Sequence, residues 1–444
     1  MKVQRTIVIV LALCLVGAAP AQEEAAKPWE SWQPPEVQMP EPNAWDIYLR
    51  AAELEEQIHQ RLREEAGLPP QDEGANVPPP LAPGVDPNVP TQLHMTEQSL
   101  EPETLARLLD AYAPVFSAVE AAIAGEAQMP PLRTQEDIER IFPELAHMRQ
   151  FARMLSSRSV HHLRNGQALP AALDGIASMH LAADVGTQGS VISGLVQTAC
   201  QAIGEAALRE AIPHLDSAEA RIALNALQRA IAESAGFGEI MEGEATVGKA
   251  FYVDMILPAL GEGRELAEIY QDEELAERAV GVTPEDTWAA LTEAFARRTE
   301  EAHKPYWARA QIEAPDNPIA ERSLATFQRT GLKFAFIEAR LRCCVAALAS
   351  QAYRADRGAY PESLDRLVPE YLSEVPRDPF ADAPLRSAAG EPVSRAHPAS
   401  QREPAGAGVL TIYSVGADGD DDGGRDVGHD LEGDGDVALV LMQR

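Results

Sequence analysis

From about Glu101 to Ala314 the chain is a succession of amphipathic helical segments, and this pattern limits the possible fold more than any other feature. Apolar residues recur at three- and four-residue steps, the spacing that lays one apolar stripe along a 3.6-residue helix. ETLARLLDAYAPVFSAVEAAIAG closes on Gly125. TQEDIERIFPELAHMRQFARMLSSRSVHHLRNG opens on a capping Thr134 with Asp137 in its first turn, closes on Asn165 and Gly166, and carries Pro143, which predicts a kink or a split. ALPAALDGIASMHLAADVG, SVISGLVQTACQAIGEAALREAI and DSAEARIALNALQRAIAESAG follow, the last opening on a capping Asp216. Further helices are predicted over Phe251 to Gln271, Pro284 to His303 and Ile319 to Asp356. Each stripe needs a neighbour to cover it. The expected fold is therefore mainly α, an Ala-rich helical bundle or short α-solenoid, with no fixed repeat period, followed by a small α+β module. Aromatic residues make up 5% of the chain and hydrophobic residues 45%, so small apolar side chains, alanine above all, must fill most of the core.

The flanks differ in character. Lys2 and Arg5 precede an apolar run from Thr6 to Ala19 that falls short of the ~20 residues of a bilayer span, and Ala19-Pro20-Ala21 has the small-x-small form of a cleavage site. Residues 1–21 are predicted to be a secretory signal, which places the chain in the periplasm or outside the cell; an uncleaved segment would leave it membrane-anchored. No later apolar run is long enough to span a bilayer. Residues 22–95 read as a Pro-rich tether with one helix over 44–66, capped by Asn43 and stopped by Gly67. Eight of the 23 residues from Leu68 to Pro90 are proline. Trp29, Trp32 and Trp45 are expected to anchor this arm. The helical domain spans 96–315 and the C-terminal module 316–444. Within the module a short helix is predicted near Pro361 to Leu367 and a low-complexity, disordered loop over 387–408. VLTIYSV and VALVLM are expected to pair as strands.

The segment ALASQAYRADRGAYPESLDRLVPEYLSEVPRDPFADAPL, followed by TIYSVGADGDDDGG, resembles the soluble region of the major pseudopilin of bacterial type II secretion systems. The shared features are Tyr353, Gly358, Tyr360 and Pro361; Leu367 to Leu372; the Pro-x-Asp-Pro turn from Pro376 to Pro379; and Tyr413 to Gly419. The resemblance covers about 110 residues. It implies a helix packed on a small antiparallel sheet, and a calcium ion in the loop before the last strand. Asp418 matches the first ligand, while Asp426 or Asp436 matches the second. The family's N-terminal leader and Glu-bearing apolar helix have no counterpart at the matching helix. There Gly331 and Glu338 are wrongly spaced, and Arg340 and Arg342 interrupt the apolar face.

The acidic loop points to calcium on its residues alone. Asp418, Asp420 and Asp422 occupy positions 1, 3 and 5 with Gly423 at 6, the opening of an EF-hand-type loop, and such alternate carboxylates can supply several of the six to eight oxygens calcium takes. Position 12 is His429 rather than a bidentate Glu, and no flanking helices are predicted, so a regular EF-hand is not expected. Asp430, Glu432, Asp434 and Asp436 repeat the spacing, leaving one or two ions open.

A net charge of −32 argues against nucleic acid and anionic lipid as partners. Cys200, Cys343 and Cys344 form no disulfide framework and read as small buried apolar residues. GEATVGKA, Gly243 to Ala250, has phosphate-loop spacing, but Ala250 stands where a hydroxyl is required and no strand precedes it. His161 and His162 are adjacent and cannot face one ion from a helix. His180, Ser190, Ser193, Glu205, Glu210 and Glu219 form no persuasive catalytic set. The function expected from the sequence is a secreted structural or interaction protein with a protein partner, pseudopilin-like or from the cell envelope. Two alternatives remain: an accessory component of a type II secretion-type apparatus, and an extracytoplasmic hydrolase with its site among the helices.

Overall fold

The computed structural model describes residues 27–68, 93, 100–261, 265–270, 272–324, 327–389, 408–428, 431, 433 and 435–442. The predicted signal, most of the proline-rich segment and residues 390–407 of the predicted loop lie outside the described residues. The chain divides into two units, Met1–Gln33 and Pro34–Arg444. In the first, the described residues make a turn in which Lys27 Nζ lies 6.0 Å from the Trp29 ring centre.

The second unit is mainly α. In chain order its helices are α1 (Trp45–Glu65), α2 (Pro102–Ala111), α3 (Ala113–Ile123), α4 (Gln135–Arg164), α5 (Ala168–Gly186), α6 (Val191–Ala211), α7 (Ser217–Glu233) and α8 (Phe237–Phe251). After these come α9 (Leu257–Gly261), α10 (Leu266–Tyr270), α11 (Glu273–Arg278), α12 (Pro284–Ala302), α13 (Pro318–Leu324) and α14 (Phe327–Arg357). The starts are chemically marked. Thr134, Asp216 and Thr283 each form a capping box with the acid three residues on. Ser190 does the same with Ser193, which gives both serines a structural role. α4 is one helix of 30 residues with Pro143 inside it, so the predicted split does not occur. Ile141 and Leu145, buried on either side of the proline, hold it to the body.

Between Phe237 and Tyr270 the structure departs from the sequence reading. The predicted helix over Phe251 to Gln271 is broken: a π-helical turn, Tyr252–Ile256, leads into α9, and α10 is separate. The phosphate-loop-like stretch is instead the body of α8. Its glycines lower helix propensity, but they face neighbours that leave no room for a side chain. A Cβ on Gly248 would lie 2.5 Å from the Phe295 ring, and one on Gly243 would strike the Gly189 backbone. Packing here overrides propensity.

α5 and α6 form the centre of the bundle and cross at two glycines. A Cβ on Gly175 would stand 2.7 Å from the Gly204 carbonyl oxygen, and one on Gly204 would collide with the Gly175 carbonyl. Gly204→Ala is expected to force the pair apart and lower stability by roughly 1–3 kcal/mol, the range for overpacked cores. Urea denaturation checks this, and an unchanged midpoint would remove the close-approach account. Among the described residues one helical stretch, Val191–His214, is long and apolar enough to cross a membrane; 67% of its apolar 18-residue window is buried in the body, as in a core helix.

The sheet is antiparallel in the order β1 (Arg386–Ala389), β2 (Val409–Ser414) and β3 (Val437–Met442). The two predicted strands pair with Leu410 opposite Leu441 and Ile412 opposite Leu439. These four residues join the face of α14 in one apolar core that also takes in α5 and α7. β1 lies where the low-complexity loop was expected to begin; its Arg-Ser-Ala-Ala sequence lacks the β-branched residues that announce a strand. The predicted short helix is a single 3-10 turn, Leu364–Leu367.

Trp45 is fully buried on α1, donates Nε1–H to Glu144 and meets the Tyr48 ring edge-on at 5.9 Å, so it anchors α1 as expected.

Candidate functional site

β2 ends at Ser414 and the chain returns as β3 at Val437, so the acidic loop hangs from neighbouring strands. Its first turn is built on Gly416, whose φ of +73° few L-residues adopt and whose missing Cβ leaves space for the Gly435 carbonyl. The far end of the loop is held through backbone: Val427 N–H donates to the Asp436 carbonyl and Asp436 N–H to the Arg425 carbonyl, each at 2.8 Å.

Asp436 is fully buried. Its Oδ2 accepts from Gly424 N–H at 2.6 Å, but its Oδ1 is buried with no hydrogen-bond partner. Asp422 has one oxygen on Arg425 Nη2 at 2.7 Å and the other, Oδ2, buried and unpartnered. Burial pushes the Asp436 carboxyl up to about 6; the charges of Asp422 and Asp421 add to the rise, and backbone N–H groups of Gly424 and Asp422 oppose it. Buried carboxylate oxygens without donors cost free energy.

The other expected ligands are placed differently. Asp418 is exposed and serves as a brace, accepting from Gly435 N–H at 2.8 Å and Asp420 N–H at 3.2 Å. Asp420 is exposed. Asp426 is exposed and accepts a long bond, 3.5 Å, from Ala438 N–H, while its backbone bridges to Asp436. Asp430, with Glu432 and Asp434, lies outside the described residues. Among the described residues no three His, Cys, Asp or Glu side chains share a metal-holding position. The fit to a cation therefore rests on the orphaned oxygens of Asp436 and Asp422.

Two further acids shape the site. Asp421 accepts from the Tyr413 hydroxyl at 3.1 Å and pairs with Arg386 at 3.3 Å, tying the loop to β1 and β2. Asp378, in the Pro-x-Asp-Pro turn, is almost fully buried and accepts three bonds: Ser414 Oγ at 2.6 Å, Val415 N–H at 2.9 Å and Phe380 N–H at 2.9 Å. It clamps the end of β2 from which the loop departs. The proline-flanked aspartate was its sequence signal, and the long-range partners could not be read there.

The dismissed catalytic candidates have structural partners. His162 Nδ1 lies 2.7 Å from Gln167 Oε1, His161 Nε2 bonds Asn165, and His180 pairs with Glu233 at 2.7 Å. Glu205 is buried against Arg340 at 3.2 Å. All three described cysteines are buried, and burial pushes Cys200 up to about 12 and lifts Cys343 and Cys344 well above the ordinary thiol value. Native protein is therefore expected to resist iodoacetamide at pH 8 and to be labelled only on unfolding; mass-spectrometric labelling of folded protein at any of the three would contradict it.

Comparison of the chain with protein-family models, curated proteins and solved structures gave no match.

Proposed function

We propose that this chain is an exported structural or interaction protein, with an α-helical body and a C-terminal module whose acidic loop is ordered by calcium. The carrying observation is the pair of buried, unpartnered carboxylate oxygens, Asp436 Oδ1 and Asp422 Oδ2, in one loop. Asp436 and Asp422 would hold the ion, with loop carbonyls completing an oxygen set of the kind calcium takes. The bound ion would supply the partner that these two oxygens lack. Its role is to fix the return into β3 rather than to take part in a reaction. Export is supported by the signal-like residues 1–21.

Calorimetric titration of the full chain with CaCl2 tests the reading: saturable heat is expected, and a folded protein giving none would overturn it. On the sequence resemblance of the C-terminal segment, the partner this reading favours is a pseudopilin-like protein. Calcium-dependent co-sedimentation with such a protein is expected under this reading. Its absence, with calcium heat present, would leave the module as an ordering device alone.

A further inference from the structure

Between α8, the end of α12 and the segment that follows it lies a cleft of about 350 Å3, lined by Phe237, Met241, Arg298, Tyr306, Arg309 and Ile312 among others. Its walls are mostly apolar, yet two guanidinium groups face it. Arg309 donates to the carbonyls of Lys304 at 2.9 Å, Ala302 at 3.2 Å and Gly331 at 3.4 Å, and it lies 4.9 Å from the Phe237 ring centre. None of these partners carries a full negative charge. Arg298 is more exceptional: its Nε is buried without a hydrogen-bond partner, and it makes no ion pair among the described residues. The carboxylate on the cleft wall, Glu301, is already engaged by Lys304 Nζ at 2.5 Å and Ala310 N–H at 2.7 Å.

A shortage of acids does not explain this, because the chain carries 69 Asp and Glu against 37 Lys and Arg. Burial lowers the proton affinity of both guanidiniums; the charges of Glu338 and Glu301 partly offset it at Arg309, and nothing offsets it at Arg298, so a charge is held where it costs stability. On the other side of Arg309 a larger groove, about 570 Å3, is lined by His303, Lys304, Arg342 and Arg377. Those four are paired with Glu242, Glu301, Glu338 and Asp382. Arg309 borders both spaces, whereas Arg298, which has no ion pair among the described residues, lines only the smaller cleft.

We propose that this cleft binds a small organic carboxylate with an aromatic or short aliphatic body, the carboxylate on Arg298 and the body against Phe237 and Ile312. A guanidinium fork matches a planar carboxylate, and the volume and apolar lining suit a ligand of that size. A phosphate, at about −1.5 to −2 at pH 7, is repelled more strongly than a monoanionic carboxylate by a chain with net charge −32. The same chemistry is offered by a free acid and by a peptide ending in Phe.

Calorimetry on the full chain with 3-phenylpropionate, N-acetyl-Gly-Phe and the uncharged 3-phenylpropionamide tests the proposal. Saturable binding of at least one acid is expected, with the amide at least tenfold weaker. The tighter of the two acids identifies the source. Arg298→Gln removes an unpaired buried charge, so it is expected to leave the melting temperature unchanged or higher while weakening acid binding at least tenfold. Ile312→Trp narrows the cleft without altering its charge and is also expected to weaken binding. Equal binding of acid and amide, retention of acid binding in Arg298→Gln, or no binding of either acid by folded wild type would each overturn it. The calcium reading stands or falls separately.

Discussion

Replacing Asp436 by Asn in calcium-free protein at pH 7 is expected to raise stability by about 2 kcal/mol, and adding calcium is expected to reverse the order of the two proteins. The sign follows from the carboxyl. Burial lifts its folded pKa to about 6, above the ordinary value near 4, so the contribution of the protonated form is complete below about pH 4 and is lost as pH rises through 6. Asn imitates the neutral acid. The stability difference, Asn minus wild type, should therefore be near zero at pH 4 and grow between pH 4 and 7. A bound cation favours the carboxylate, lowering its pKa, and saturation at about a hundred times the dissociation constant adds roughly 2.7 kcal/mol to wild type alone. The comparison uses urea denaturation of both proteins with EDTA and with CaCl2. If Asn destabilises in EDTA at pH 7, or calcium stabilises both proteins equally, Asp436 is not the buried acid described here.

Asp378→Ala is expected to cost about 3 kcal/mol or more. The substitution removes the acceptor of three bonds at once and leaves the Val415 and Phe380 N–H groups, both in a buried turn, without a partner; each such orphan costs on the order of 1–3 kcal/mol. Val415 lies directly before the Gly416 turn, so the loss also loosens the entry to the acidic loop. Amide exchange at Val415 should quicken before global unfolding. Stability within about 0.5 kcal/mol of wild type, the range of an inert surface change, would show that the clamp is dispensable.

The helical body was legible because its signals are local. Thr134, Asp216 and Gly166 mark ends by short-range chemistry, and the apolar stripes between them keep a helical period. What stayed hidden depends on partners distant in sequence. α8 looks like a glycine-rich loop until Gly243 meets Gly189 and Gly248 meets Phe295. β1 has no strand signature and is a strand because Ser387 pairs with Ile412 and Ala388 with Thr411. In the loop, composition pointed to carboxylates but spacing did not say which would turn inward. The alternating series offered Asp418, Asp420 and Asp422, and then Asp436, on equal terms; Asp418 and Asp420 face solvent, whereas Asp422 turns one oxygen inward and the backbone bridge to residues 425–427 draws Asp436 inside. Arg298 gave no signal, because the lack of a partner cannot be seen in a sequence.

The shared core around α14 has a consequence for synthesis. Ribosomes deliver α5 to α7 well before Phe327–Arg357, and the strands emerge later still. The apolar surface that α5 and α7 contribute to that core therefore waits uncovered while the rest of the chain is made. Nascent chains stopped before residue 327 should be held by chaperones or degraded, and release should coincide with the arrival of the last strand.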